Sequence, residues 1–174
     1  MPSPTRSERD AALRRLVLSG LMGALLVVSK QAMSGLPNFE PVSLLIILFT
    51  LELPRETPGA ITVFLLLQGL LYGFGLWWFM YLYVWYLLAL LAWLARRVDH
   101  ALFWAALSGA FGLCFGGLCA AVYLFAKTPA FALSWWLSGL PYDVMHGAGN
   151  FVLMLLLYRP LRRALQVVRR SIRP

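Results

Sequence analysis

Six apolar stretches, approximately 13–34, 41–53, 60–76, 77–95, 101–126 and 139–158, alternate with short polar gaps along the chain. A helix needs about 20 mostly apolar residues to cross the hydrocarbon core of a bilayer, and four or five of these stretches approach that length. The pattern predicts an all-α integral membrane protein, a compact bundle of six transmembrane helices. Residues 1–12 read as a terminal segment, 13–158 as the bundle and 159–174 as a basic tail. Six crossings with short connections leave no stretch for a soluble domain. A basic run precedes Leu16–Val28, and Ala32-Met33-Ser34 has the small-x-small form of a leader cleavage site. Five further stretches follow, however, so the first is expected to be a retained span.

Charge orients the pattern. When the gaps are assigned alternately to the two sides, one side receives thirteen of the fifteen Lys and Arg residues. These are Arg6, Arg9, Arg14, Arg15, Arg55, Arg96, Arg97, Arg159, Arg162, Arg163, Arg169, Arg170 and Arg173; the other side holds only Lys30 and Lys127. Cationic loops resist translocation, so the arginine side is expected to be cytoplasmic, with both termini inside. The tail carries Leu161, Leu165, Val167 and Val168 between its arginines and is expected to continue the last helix along the interface.

Composition excludes several classes. A mean hydropathy of +0.75 and only 13% charged residues leave too little polar surface for a soluble domain of 174 residues. The net charge of +8 does not imply nucleic acid, because the arginines sit at helix ends and not on a basic module with base-reading elements. They read as topology determinants and contacts to anionic headgroups of the lipid bilayer. Cys114 and Cys119 lie five residues apart on one helix and point to different faces, so neither a disulfide nor a metal pair is expected. The chain contains no G-x-x-x-x-G-K-[ST], H-E-x-x-H or G-x-S-x-G motif and no Cys/His set at metal-ligand spacing. No metal or cofactor is therefore expected, and enzymatic activity is not the leading reading.

Polar side chains inside a membrane are costly and mark pathways or sites. Here they are Lys30, Glu40, Asp143 and His146, with the amides Gln31, Asn38, Gln68 and Asn150. Asp143, His146 and Asn150 are spaced three and four apart, on one face of the last helix, flanked by Gly139 and Gly147. They make either a ligand-facing stripe or polar contacts between helices. Ser34–Pro41 is a Pro/Gly turn that brings Asn38 and Glu40 to the outer end of a second helix too short to span, where Asn38 is also positioned to cap it. Trp77, Tyr81 and Trp85 recur at four-residue spacing, with Tyr72 nearby and Trp135 and Trp136 next to the last stretch. An interfacial belt should populate both faces, yet five of the seven tryptophans gather on the outer side. Both a belt and an aromatic-lined outer pocket stay open. Small residues form two stripes, Ser19/Gly23 with Gly20/Ala24 in the first stretch and Ser108, Gly112, Gly116 and Ala120 in the fifth. Close helix packing inside the bundle is the simplest expectation for both.

Taken together, six spans in so short a chain, the early small-xxx-small patch and the polar outer ends resemble the substrate-binding S component of energy-coupling factor (ECF) vitamin transporters. The phrases Leu36–Leu48, Gly69–Trp78 and Ser138–Asn150 are similar to bacterial members of that group, and the resemblance covers about residues 12–160. It implies a subunit that captures a vitamin or precursor from outside and docks on a membrane coupling subunit driven by two cytoplasmic ATPase subunits. By that analogy Ser19, Gly20, Gly23 and Ala24 form the docking face. The family's Ala-x-x-x-Ala is here Gly20-x-x-x-Ala24, offset by Ser19/Gly23, so two registers are available. The first outer loop and the loop with Gly73 and Gly75 would act as lids.

The expected substrate-binding set is Asn38, Glu40, Gln68, Tyr72, Trp77, Tyr81, Trp85, Trp136, Asp143, His146 and Asn150. Acids, amides and flat rings favour a planar nitrogen heterocycle that donates hydrogen bonds or carries positive charge. Two other readings stand behind this one. The first is an intramembrane enzyme using Asp143 and His146 as an acid–base pair. The second is a structural subunit whose polar stripe joins helices.

Overall fold

The computed structural model describes residues 5–35 and 41–172; Asn38 and Glu40 lie outside the described residues. All secondary structure among the described residues is helical. The order is α1 (Arg6–Ala32), α2 (Val42–Glu52), α3 (Thr57–Tyr72), α4 (Leu76–Leu94), α5 (Ala101–Ala126) and α6 (Pro129–Ile172).

Of these, α1, α4 and α5 are long and apolar enough to cross a membrane. The expectation of six such spans is corrected to three. At 1.5 Å per residue, the 11 residues of α2 and 16 of α3 extend only about 16 and 24 Å, short of a core of about 30 Å. The apolar run of α6 is interrupted by Asp143, His146 and Asn150, so its length does not translate into a uniformly greasy span.

The helices form an open ring, α1–α3–α4–α5–α6, around α2. Ten of the eleven residues of α2 are buried. A helix that is apolar on every side has no polar face to give to water and belongs at the centre. Small residues set the tightest seams. A Cβ on Gly23 of α1 would lie 2.6 Å from the Val63 side chain of α3, and Ser19 Oγ donates to the Glu56 carbonyl at 3.0 Å. Between α5 and α6 a Cβ on Gly112 would meet the Gly147 backbone at 2.8 Å, and one on Gly116 would meet the Asp143 carboxylate at 2.5 Å. The fifth-helix stripe is internal packing, as its spacing indicated. The first-helix patch is split: Ser19 and Gly23 are buried against α3 and unavailable to a partner, whereas Gly20 and Ala24 lie on the open side.

Two helix boundaries shift for local reasons. The last helix begins at Pro129, not near 139. Thr128 Oγ accepts the Phe131 amide at 3.2 Å, and proline is well suited to the first helical position. Trp135 and Trp136 are therefore part of α6, and Pro141 lies inside it. At the other shift, α3 ends at Gly73, whose φ of +82° is readily adopted only by glycine.

The arginines gather at one end of the bundle. Arg14 donates to the Ile172 carbonyl at 2.7 Å and Arg15 to the Arg55 carbonyl at 3.0 Å. Glu52, only 2% exposed at the end of α2, accepts from Arg162 at 2.7 Å, Gln166 at 3.2 Å and Arg169 at 3.2 Å. Arg162 also reaches Asp99 and the Tyr158 hydroxyl. The tail is thereby fixed across the base of α2, its Leu161, Leu165 and Ile172 packed on the core.

Candidate ligand site

The expected polar stripe on α6 faces α5 and α2. Asp143 Oδ1 accepts the backbone amide of Gly116 at 2.8 Å, and Oδ2 accepts the Trp136 indole at 3.3 Å. Only glycine at 116 lets the carboxylate approach the α5 backbone so closely. About two turns further along α6, Asn150 Nδ2 donates to Ser43 Oγ at 3.1 Å and to the Ser108 carbonyl at 3.3 Å, joining α6 to α2 and α5. Both side chains are buried. Of the two alternatives for this stripe, hydrogen bonding between helices is what Asp143 and Asn150 do in the structure.

His146, between them on the same face, is buried with its ring edge-to-face on Phe115 at 4.8 Å. Phe115 in turn lies 6.1 Å from Tyr81 and 5.4 Å from Trp85. Along α4 the rings continue from Trp77 to Tyr81 and from Tyr81 to Trp85, each step 5.4 Å and edge-to-face. Phe64 of α3 closes the other side of Trp85 at 6.1 Å. Trp77, Tyr81, Trp85 and His146 are thus parts of one aromatic assembly linking α3, α4, α5 and α6. Edge-to-face geometry of this kind adds about 0.5–1.5 kcal/mol per pair beyond the area buried.

Gln68, one helical turn beyond Phe64, is 1% exposed, and its Nε2 has no hydrogen-bond acceptor among the described residues; nor has Nε1 of the fully buried Trp85. The neighbouring Trp78 is different, since its indole donates to the Leu65 carbonyl at 2.9 Å. Tyr72 does not join the assembly. It is exposed, and its hydroxyl donates to Gln31 at the ends of α3 and α1. Trp136 is half-buried and reaches the site only through Asp143. The loop Gly73–Gly75 brings Phe74 over Gly69 and edge-to-face on Trp78 at 5.2 Å, at the end of the α3/α4 seam away from Arg55.

Three participants were not foreseen from the sequence. Phe115 is the hub of the rings, but α5 is apolar around most of its circumference and gives no periodic signal to single it out. Ser43 sits at the start of α2, where a serine reads as a capping residue. Phe64 belongs to an unbroken apolar run. Comparison with protein-family models, curated proteins and solved structures finds no match.

Proposed function

We propose that this chain is the substrate-binding subunit of an importer of the ECF kind. It captures a planar, vitamin-like nitrogen heterocycle on the side away from the arginines and hands it on without chemical change. In this reading all six helices lie in the membrane, α2 and α3 as short central elements shielded by their neighbours. The arginine-rich end, with both termini, faces the cytoplasm, as the resistance of cationic segments to translocation favours. A membrane coupling subunit and two ATPase subunits supply the energy.

The observation that carries the proposal is the aromatic assembly Trp77–Tyr81–Trp85–Phe115–His146 beside the buried amide Gln68. Flat rings held edge-to-face, with polar side chains among them, suit a planar heterocycle better than a lipid tail or a polycarboxylate. The exposed side of α1 suits the partner. Gly20 has nothing within 4 Å of where its Cβ would be, and Leu16, Leu21 and Val28 beside it are more than 60% exposed.

Mass spectrometry of small molecules released from gently purified protein, followed by thermal-shift screening of a vitamin panel, tests the proposal. A co-purifying heterocycle that raises the melting temperature is expected. A protein that carries nothing and is stabilised by nothing in a broad panel contradicts it.

A further inference from the structure

Resting on the ligand-binding reading above, we propose that Gln68 and Trp85 are a donor pair that receives a ring carbonyl of the substrate. The substrate class is therefore an oxo-substituted planar heterocycle and not a cationic or donor-only one.

Both oxygens of Asp143 hold donors, the Gly116 amide and the Trp136 indole, and the Asn150 amide is divided between Ser43 and the Ser108 carbonyl. The Asp143 carboxylate and the Asn150 amide are thus committed to helix contacts. Gln68 Nε2 and Trp85 Nε1 are both donors, both all but sealed from solvent, and both without an acceptor among the described residues.

The large majority of buried side-chain polar groups in folded proteins have a partner, because an unmatched donor forfeits its hydration with nothing in return. Trp85 belongs to the ring assembly and Gln68 lies one turn beyond Phe64, so a ligand seated against the rings would supply the acceptors that the described residues do not. A carbonyl conjugated to a flat ring supplies both the acceptor and a face for Trp85, Tyr81 and Phe115. The approach is at the outer end of the α3/α4 seam. There Phe74 covers Gly69, next to Gln68, on a loop whose Gly73 has a positive φ.

The test uses full-length detergent-purified protein and isothermal titration calorimetry with four probes. Lumiflavin and nicotinamide carry a carbonyl; thiamine and 5,6-dimethylbenzimidazole do not. Trp85→Phe keeps a ring and removes the donor, and Gln68→Leu keeps the bulk and removes the amide. A carbonyl probe is expected to bind tightest, and each substitution to weaken it by about tenfold, the worth of one hydrogen bond in a buried site. Empty, the Gln68→Leu protein is expected to melt no lower than the parent, since it loses an unmatched donor; Trp85→Phe also removes core volume and is read by its affinity alone.

Tighter binding of a carbonyl-free probe, or unchanged affinity in both variants, overturns this inference and leaves the binding-subunit reading standing. A melting temperature several degrees lower in the empty Gln68→Leu protein also overturns it, by showing that the amide stabilises the fold itself. If no probe binds the parent and nothing co-purifies with it, both readings fall together.

Discussion

Glu52 is a carboxylate at the end of an otherwise apolar helix, 2% exposed and hydrogen-bonded to three side chains of the α6 tail. Replacing it with glutamine preserves shape and removes the charge. Three contributions change. The Arg162 contact at 2.7 Å joins two largely buried side chains, and a charge-assisted hydrogen bond of that kind contributes about 1.5–3 kcal/mol. Arg169 is 52% exposed at 3.2 Å, so its share is below about 1 kcal/mol. The Gln166 bond survives, because a glutamine oxygen still accepts. Arg162 keeps Asp99, which is 78% exposed, and the Tyr158 hydroxyl. The expected cost is about 3 kcal/mol, in line with breaking a buried pair from one side. For a chain of this size that corresponds to a melting temperature lower by roughly 6–12 °C.

Circular dichroism or fluorescence-detected size-exclusion melting in one detergent reads this directly. Arg162→Met should cost nearly as much as Glu52→Gln, whereas Arg169→Met should cost a small fraction of it. Equal effects of the two arginine substitutions, or a Glu52→Gln protein that melts with the parent, would refute the reasoning that burial decides which contact matters.

Other outcomes follow from single contacts. Gly116→Ala places a methyl where the Asp143 carboxylate lies and should lower stability by about 1–3 kcal/mol; Gly20→Ala, with open space around it, should have no measurable effect on the same melt. Gly20→Trp should fold and bind ligand like the parent while losing co-purification with the energising subunits, and retained co-purification would remove α1 as the docking face.

At the start of α1, Thr5 and Glu8 form a reciprocal capping box, and the hydrogen bond from the Thr5 backbone amide is the main cause holding the Glu8 carboxyl below its ordinary 4.5. A depressed carboxylate pKa contributes stability fully above that value and loses it as pH falls through the folded pKa. Hydrogen exchange at the first turn of α1, corrected for intrinsic pH dependence, should therefore lose protection only in that acidic window. Protection unchanged through it would show that the box does not hold the helix end.

Much of the architecture was legible because apolar runs between turn residues mark helices whatever the tertiary context. The fifth stretch, 101–126, coincides with α5 at both ends, and the glycines at 112 and 116 predicted the close seam that the helix makes with α6. The helix α6 starts at Pro129, ahead of the apolar stretch near 139, because proline fits a helix's first turn, and Pro141 is accommodated within it. The span count failed for a physical reason: hydrophobic character and length are separate requirements, and α2 has the first without the second.

The site was half legible. Ionisable and amide residues stand out against an apolar background, so Asp143, His146, Asn150 and Gln68 were found. Their engagement was not, since hydrogen bonds to Gly116, Ser43 and Ser108 depend on which helices meet. Glu52 escaped for the opposite reason: an acid at the end of an apolar run reads as the first residue of a loop, and only the packing of the tail reveals that it is buried.

The functional account depends on the aromatic assembly and its loops opening away from the arginine end, to the cell exterior. Lys127→Cys at the α5–α6 connection and Arg97→Cys at the α4–α5 connection, each exposed and each made with Cys114→Ser and Cys119→Ser, mark the two ends. Treated with a membrane-impermeant maleimide in intact cells, the protein with cysteine at 127 should label at once, and the one with cysteine at 97 only after permeabilisation. The reverse pattern would place the rings on the cytoplasmic side and contradict capture from outside.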